Sequence, residues 1–228
     1  MTKELKNVVE IPELRNLTNI FHDREHAGII LADMMVDYKG TDSIVFGIPA
    51  GGVPVAASMA SFLNLILDVA VVSKITLPWN TEAGYGAVAF DGTVKLNQGV
   101  LHQIGLTDDQ INGGIEKASI KVNRRFKEFR GVKPFPDLKK HTAILVDDVI
   151  ASGFTMLVAV EALQKTGADK VVVAVPTAHL QSLERVAPKV DKIFCANIRD
   201  GWGFAVADAY QNWYDVNEEE VNEILKRS

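Results

Sequence analysis

Short, almost wholly apolar runs recur along this sequence and alternate with segments whose apolar residues have helical spacing. The runs cover residues 43–47, 67–73, 143–146, 171–175 and 193–196. Runs with no polar side suit strands that are buried on both faces, and such strands occur in parallel sheets covered by helices. Hydrophobic residues make up 47% of the chain, enough for such a core. The sequence therefore predicts an α/β fold, a mostly parallel, doubly wound sheet with helices on both faces.

Helix signals lie between these runs. Asp23 is placed to cap a first helix, whose apolar residues recur at helical spacing as far as Met35. Further helices are expected at about 55–62, 155–165, 180–187 and 218–226. The first two runs and the helix between them form one predicted βαβ unit.

The middle of the chain departs from this alternation. Asp91-Gly92 lies between residues 87–90 and 93–96, a pattern typical of a hairpin with a two-residue type I′ turn. Residues 107–110 have the form of a capping box and open a long helix predicted to reach about Phe129. We interpret residues 1–228 as a single domain, with 85–135 as an inserted hairpin and helix region and 197–228 as a C-terminal hood or tail.

Charge and cysteine content exclude several classes of protein. A net charge of −5 argues against a general binder of nucleic acid or anionic membranes, because such binding needs excess cations. Cys195 is the only cysteine, so no internal disulfide marks a secreted protein. The first six residues lack an apolar signal core, and the most apolar window, 53–72, is interrupted by Pro54 and Asp68. We expect a soluble, cytoplasmic protein with no nucleic-acid or membrane partner.

The strand end at 146–155 carries the strongest functional signal. Asp147 and Asp148 leave an apolar run, and the small-residue turn 151–155 then enters a helix. Backbone N–H groups at such a turn, with the hydroxyls of Ser152 and Thr155, suit a phosphate monoester. The paired carboxylates suit the hydroxyls of a ribose. The pattern predicts a sugar 5-phosphate site; the alternative is an ordinary turn with Asp148 as a helix cap.

A second strand end, after run 43–47, holds Gly51-Gly52. Two glycines let the backbone approach a polyanion closely, although an ordinary strand-to-helix turn remains the alternative. Neither a G-x-x-x-x-G-K-[S/T] nor a G-x-G-x-x-G phosphate motif is present in the sequence.

Residues 146–155 resemble the phosphoribosyl-pyrophosphate (PRPP) signature of type I phosphoribosyltransferases. Other segments resemble a poorly characterised branch of that family, known only as predicted phosphoribosyltransferases. These segments are Phe21-x-Asp23-Arg24-x-x-Ala27-Gly28, residues 47–56, Lys74 with 82–89, and the tail from Ala205-Val206 to Glu220-Val221. The likeness spans roughly residues 20–225.

The resemblance implies a function and a set of site residues. The protein would transfer the phosphoribosyl group of PRPP to a nitrogenous acceptor such as a nucleobase, release pyrophosphate and serve nucleotide or nucleoside metabolism. Asp147, Asp148 and Lys74 would be catalytic, the first two on the ribose hydroxyls. Ala151, Ser152, Gly153, Phe154 and Thr155 would bind the 5-phosphate, and Pro49, Ala50, Gly51, Gly52 and Val53 would hold pyrophosphate. Mg²⁺ would bind mainly through PRPP, with no dedicated protein metal site, and a homodimer is an open expectation because relatives often dimerise.

Three departures from the family pattern leave alternatives open. The branch commonly has Arg where Ala50 stands, a loss that Lys74, Arg124 or Arg125 would have to offset. Ala151 stands where 6-oxopurine enzymes have Asp, which lowers hypoxanthine and guanine as acceptors, and Phe154 replaces a small residue. A PRPP-binding sensor without turnover and a PRPP hydrolase are therefore retained beside the transferase. The aromatic tail 204–214 is interpreted as a hood that receives the base, or as hood packing alone.

Overall fold

A computed structural model describes residues 5–201 and 205–227, and its main sheet has six parallel strands. The strands are β1 Val8–Glu10, β2 Ile44–Gly47, β3 Ile66–Val69, β7 Thr142–Val146, β8 Lys170–His179 and β9 Lys192–Arg199. Their order across the sheet is β1-β9-β8-β7-β2-β3. The predicted α/β fold with a mostly parallel sheet is confirmed. The sequence did not predict the short strand β1, which pairs with β9 at an edge of the sheet.

Seven helices are described: α1 Arg24–Met34, α2 Gly52–Leu63, α3 Gln98–Ile104, α4 Asp108–Arg130, α5 Phe154–Lys165, α6 Leu180–Val186 and α7 Glu218–Arg227. Alternate strand residues enter two separate cores, which is why the strand sequences are apolar throughout. Val45 packs into the core beneath α1 and α2, whereas Phe46 packs into the core beneath α5 and α6. Cys195, on β9, is buried in the latter core.

A second, three-stranded antiparallel sheet stands beside the first and contains β4 Val72–Leu77, β5 Asn80–Ala89 and β6 Val94–Leu96. The prediction of one strand over 67–73 is wrong, because β3 ends at Val69 and β4 begins in the other sheet at Val72. The predicted insertion, 85–135, takes in part of β5 together with β6, α3 and α4, and β4 belongs to the same sheet.

The hairpin between β5 and β6 is confirmed, but its predicted turn type is wrong. Of Asp91 and Gly92, Gly92 alone takes a positive φ, 85°, whereas a type I′ turn requires it at both. The Gly92 N–H donates to the carbonyl of Ala89 at 3.0 Å, and the Thr93 N–H donates to the Asp91 carboxylate at 2.9 Å. The Ala89 N–H donates to the carbonyl of Thr93 at 2.9 Å, and residues 90–92 form the loop inside that bond. The capping box of Thr107 and Gln110 is confirmed.

None of the helices in the described part of the chain is long and apolar enough to cross a bilayer.

Candidate functional site

The loops that follow β2 and β7 leave the same edge of the sheet and meet. Gly47 and Val146, the last residues of the two strands, are paired. A Cβ atom on Gly51 would lie 2.6 Å from Cγ of Asp148, and one on Gly52 would lie 2.7 Å from the carbonyl oxygen of Val146. Both glycines are therefore required for space. The two strand ends that the sequence singled out form one structure.

The turn after Asp148 is held from behind by α6. The Ser182 hydroxyl donates to the carbonyl of Ala151, and the Arg185 guanidinium donates to the carbonyl of Ser152. In a trans peptide the N–H points away from the C=O, so the amides of Ser152 and Gly153 face away from α6. Gly153, at the start of α5, has a φ of 77° that favours glycine. Sequence reasoning did not identify Ser182 and Arg185 as residues that hold this turn in place.

A cavity of about 510 Å³ opens where these loops face the second sheet. Asp147 and residues Ala151, Ser152, Phe154 and Thr155 line one side. Lys74, Gly84 and Gly86, on β4 and β5, line the other. The aliphatic part of the exposed Lys74 side chain crosses Gly84, where a Cβ would lie 2.5 Å from Lys74 Cδ. The structure thus brings both Lys74 and the predicted phosphate turn to one cavity.

The remaining predicted residues lie behind that surface. Gly153 is buried, and Asp148 is only 7% exposed. Among the described residues, the cavity lining includes none of Pro49, Ala50, Gly51, Gly52 and Val53, although this loop contacts the acid pair. The Val53 side chain is wholly buried in the core beneath the second sheet.

The two carboxylates have different surroundings. Asp147 faces the cavity, and its Oδ1 accepts the Asp148 N–H at 2.9 Å. Burial, and next the negative charge of Asp148, raise the pKa of Asp147 well above 3.8. Asp148 instead points inward, where Arg24 Nε donates to its Oδ2 at 3.0 Å. Asp147 is therefore the carboxylate that a ligand meets first.

The aromatic tail gathers on Arg24. The Arg24 guanidinium lies 4.0 Å from the ring centroid of Trp213 and donates to the Tyr214 carbonyl at 2.8 Å. The Tyr210 hydroxyl donates to the Asp148 carbonyl at 3.0 Å, and burial raises the Tyr210 pKa well above 10. Val206 lines the cavity, while Phe204 lies outside the described residues. The described contacts therefore favour packing of Tyr210, Trp213 and Tyr214 within the protein over stacking on a base. Sequence reasoning did not assign Arg24 a role, although the 21–28 segment contained it.

Arg124 and Arg125 lie away from the cavity. Both bind Glu218 on α7, with N–O distances of 2.7 and 2.8 Å for Arg124 and 2.6 Å for Arg125. Neither arginine is therefore placed to supply the positive charge that is absent because Ala50 stands where the branch commonly has Arg.

A doubly wound sheet with an acid pair and a small-residue turn at one strand end defines an α/β protein whose candidate site lies at the carboxyl edge of its strands. More narrowly, the chain belongs to the phosphoribosyl transferase domain family, whose model matches residues 17–209. The resemblance noted in the sequence is confirmed.

Similar proteins agree with this assignment. A relative from Mycobacterium tuberculosis, provisionally named a phosphoribosyl transferase, is 35% identical over 209 residues, which are 92% of this chain and 47% of the relative. The chain thus spans about half the length of the curated relatives it matches. The crystal structure of TT1426 from Thermus thermophilus superposes with a TM-score of 0.74 at 30% identity, covering 91% of this chain and 98% of TT1426. AQ2163 from Aquifex aeolicus shares the fold at 14% identity, with a TM-score of 0.51 and coverage of 89% and 84%.

Proposed function

We propose that this protein transfers the phosphoribosyl group of PRPP to a nitrogenous acceptor and releases pyrophosphate. One observation carries the proposal: a single cavity brings Asp147 together with the turn 151–155. The turn supplies amides directed away from α6 for the 5-phosphate, and Asp147 supplies an acceptor for the ribose hydroxyls. The predicted roles of Asp147 and of residues 151–155 are retained in this proposal.

The reaction breaks the bond between the anomeric carbon and a pyrophosphate oxygen and forms a bond to a nitrogen of the acceptor, whose N–H proton leaves to the released pyrophosphate or to water. Positive charge develops on the sugar, as in glycoside hydrolysis, while negative charge grows on the leaving pyrophosphate. Lys74, on the opposite side of the cavity, is the proposed cationic partner of that leaving group. Catalysis then comes mainly from stabilising the leaving pyrophosphate and from holding the acceptor nitrogen in line with the anomeric carbon.

The proposal includes Mg²⁺, bound chiefly through PRPP oxygens. When bound, the ion neutralises charge on the pyrophosphate. Within the described ranges, no three or more His, Cys, Asp or Glu side chains are grouped so that they could hold a metal. Asp147 is the carboxylate that faces the cavity, and Mg²⁺ commonly combines one or two carboxylates with substrate oxygens and water.

The acceptor class follows from the rest of the cavity. Val100, Val149, Phe154 and Val206 contribute apolar surface, which suits a flat ring. Ala151 offers no side-chain carboxylate to handle the proton of a 6-oxopurine. The proposed acceptor is therefore a nucleobase other than hypoxanthine or guanine.

Phosphorus NMR of the protein with PRPP, Mg²⁺ and a pool of nucleobases tests the proposal. We expect pyrophosphate together with a new nucleotide 5-phosphate signal, and omission of single bases identifies the acceptor. Asp147→Asn should reduce the rate by about a hundredfold or more, since a group on the reacting sugar is changed. Asp169→Asn, at an exposed position, should leave the rate unchanged. Equal loss in both variants, or no PRPP turnover and no PRPP binding, would contradict the proposal.

A second candidate, a PRPP sensor without turnover, is favoured by the loop 49–53. This loop contains no cation, and the half-buried Ala50 packs against apolar residues. PRPP signals that broaden with protein but give no product would support the sensor. Free ribose 5-phosphate above an enzyme-free control would instead support the hydrolase retained from the sequence.

A further inference from the structure

Arg24 is a buried cation that connects the acid pair with the end of the chain. It is the first residue of α1, is 5% exposed, and lies 124 residues before Asp148 in sequence. In the described part of the chain, the cavity lining does not include it. Arg24 therefore does not contact a ligand in the cavity and would act on it through its charge and through the residues it contacts.

The contacts run from Arg24 to Asp148 and then to Asp147. Arg24 Nε donates to Asp148 Oδ2 at 3.0 Å, which fixes one carboxylate oxygen. The same carboxyl group packs against Gly51, where there is no room for a Cβ. The Asp148 N–H then donates to Asp147 Oδ1 at 2.9 Å. The orientation of Asp147 in the cavity is thus tied to the position of Asp148.

The guanidinium is itself held by the tail. The ring centroid of Trp213 lies 4.0 Å from its carbon, and the Tyr214 carbonyl accepts from its Nη1 at 2.8 Å. The Tyr210 hydroxyl binds the backbone carbonyl of Asp148 at 3.0 Å, so the same segment contacts both members of the ion pair. A planar group with several donors can stack and donate in two directions at once, which a lysine ammonium cannot.

We propose that Arg24 is a positioning residue for phosphoribosyl transfer. Residues 210–214 hold its guanidinium, the guanidinium holds Asp148, and Asp148 holds Asp147 against the ribose. The inference rests on the proposed function for the identity of the ligand. In this proposal residues 210–214 support Arg24 and do not cover the base.

The test compares Arg24→Lys with Arg130→Lys. Arg130 is a close match, because its side chain is 4% exposed, binds Asp68 at 2.7 and 2.8 Å, and lies 5.1 Å from the ring of Phe126. It is placed away from the cavity, at the end of α4. Both variants should lower the melting temperature. Only Arg24→Lys should also raise the KM for PRPP and lower kcat, with kcat/KM falling about tenfold to a hundredfold.

The outcomes separate the two proposals. A wild-type protein that neither binds nor turns over PRPP overturns the proposed function and the positioning role with it. An active wild type whose Arg24→Lys and Arg130→Lys variants agree within about twofold in kcat/KM overturns the positioning role alone.

A second pair keeps the test decisive if Arg24→Lys does not fold. Trp213→Leu removes the ring stacked on Arg24, and Phe126→Leu removes the corresponding ring beside Arg130. Trp213→Leu should raise the KM for PRPP about threefold or more, and Phe126→Leu should not. Equal KM values for these variants would contradict the positioning role.

Discussion

At the scale of single residues, the Asp147 carboxyl group faces a cavity, and its surroundings disfavour its charged form. Burial and the neighbouring Asp148 raise its pKa, so the native protein keeps this proton to a higher pH than the unfolded chain does. Between 3.8 and the raised native pKa the native state binds more protons, and stability falls as pH rises through that window. Above this window the loss of stability caused by the charged Asp147 carboxylate no longer changes with pH. A carboxylate in such a position is typical of a functional site.

We therefore predict that Asp147→Asn stabilises the protein while it impairs PRPP binding. The free energy of unfolding should rise by on the order of 1 kcal/mol at neutral to mildly alkaline pH, as when other strained functional groups are replaced. The gain should disappear well below pH 3.8, where the carboxyl is protonated in both states. Urea unfolding at both pH values measures it, with the exposed Asp169→Asn as control. A loss of stability at neutral pH would contradict the electrostatic argument.

At the scale of secondary-structure elements, the contact between the β2 and β7 loops depends on the absence of side chains. Gly51 has a φ of −62°, which any residue adopts. Position 51 therefore requires glycine because a Cβ would not fit there, and not because of its backbone conformation. At Gly52 the obstacles are backbone atoms, the Val146 carbonyl oxygen at 2.7 Å and Asp147 Cα at 2.8 Å. Backbone atoms at a buried strand end have little room to move, so a methyl group there displaces a strand end and its acid pair.

Gly52→Ala should lower the free energy of unfolding by about 1–3 kcal/mol, the usual result of overpacking, and should weaken PRPP binding as well. Gly113→Ala is the matched control, because it lies within α4 with nothing within 4 Å of its added Cβ. That change should stabilise the protein by up to about 1 kcal/mol through helix propensity. Denaturant titration and PRPP titration measure both effects. If both changes stabilise the protein, the contact between the loops is looser than described.

The strands and the phosphate turn could be predicted from the sequence because their signals are local. Residues 43–47 and 143–146 are apolar on both faces, and the acid pair directly follows the second of these runs. The change of sheet near Ala70 could not be predicted, because residues on both sides of it are apolar and buried. Strand β1 has three residues, too few for a periodic signal. The Arg24–Asp148 pair depends on packing between residues 124 apart, and no spacing rule reports that.

At the scale of the whole molecule, α7 joins the layers around the two sheets. It packs against α2, which covers the main sheet, and against α4, which packs on the second sheet. Glu218, at the start of α7, binds both Arg124 and Arg125 of α4. Hydrogen bonds from these arginines, Arg124 foremost, lower the Glu218 pKa from 4.5 to about 2.

The stability that Glu218 contributes should be present above pH 4.5 and lost as pH falls towards about 2, because protonation removes its charge. We predict that Glu218→Gln lowers the melting temperature by a few degrees at neutral pH, the scale of a networked surface pair. The difference from wild type should shrink across that acid window and with added salt. Glu223→Gln, an exposed i,i+4 partner of Arg227, is the control and should change little. A difference that persists at the lowest pH would rule out the ionic explanation.

The link between Arg24 and Tyr214 also has a consequence for the time at which the site is built. The two residues are 190 positions apart, so a ribosome adding roughly 5–20 residues per second needs roughly 10–40 s to pass from one to the other. During that interval the nascent chain can complete α1, β2, α2 and β7, yet Arg24 still lacks its stacking partner. The pair of Arg24 and Asp148 therefore gains the support of the tail only after residues 210–214 have been translated.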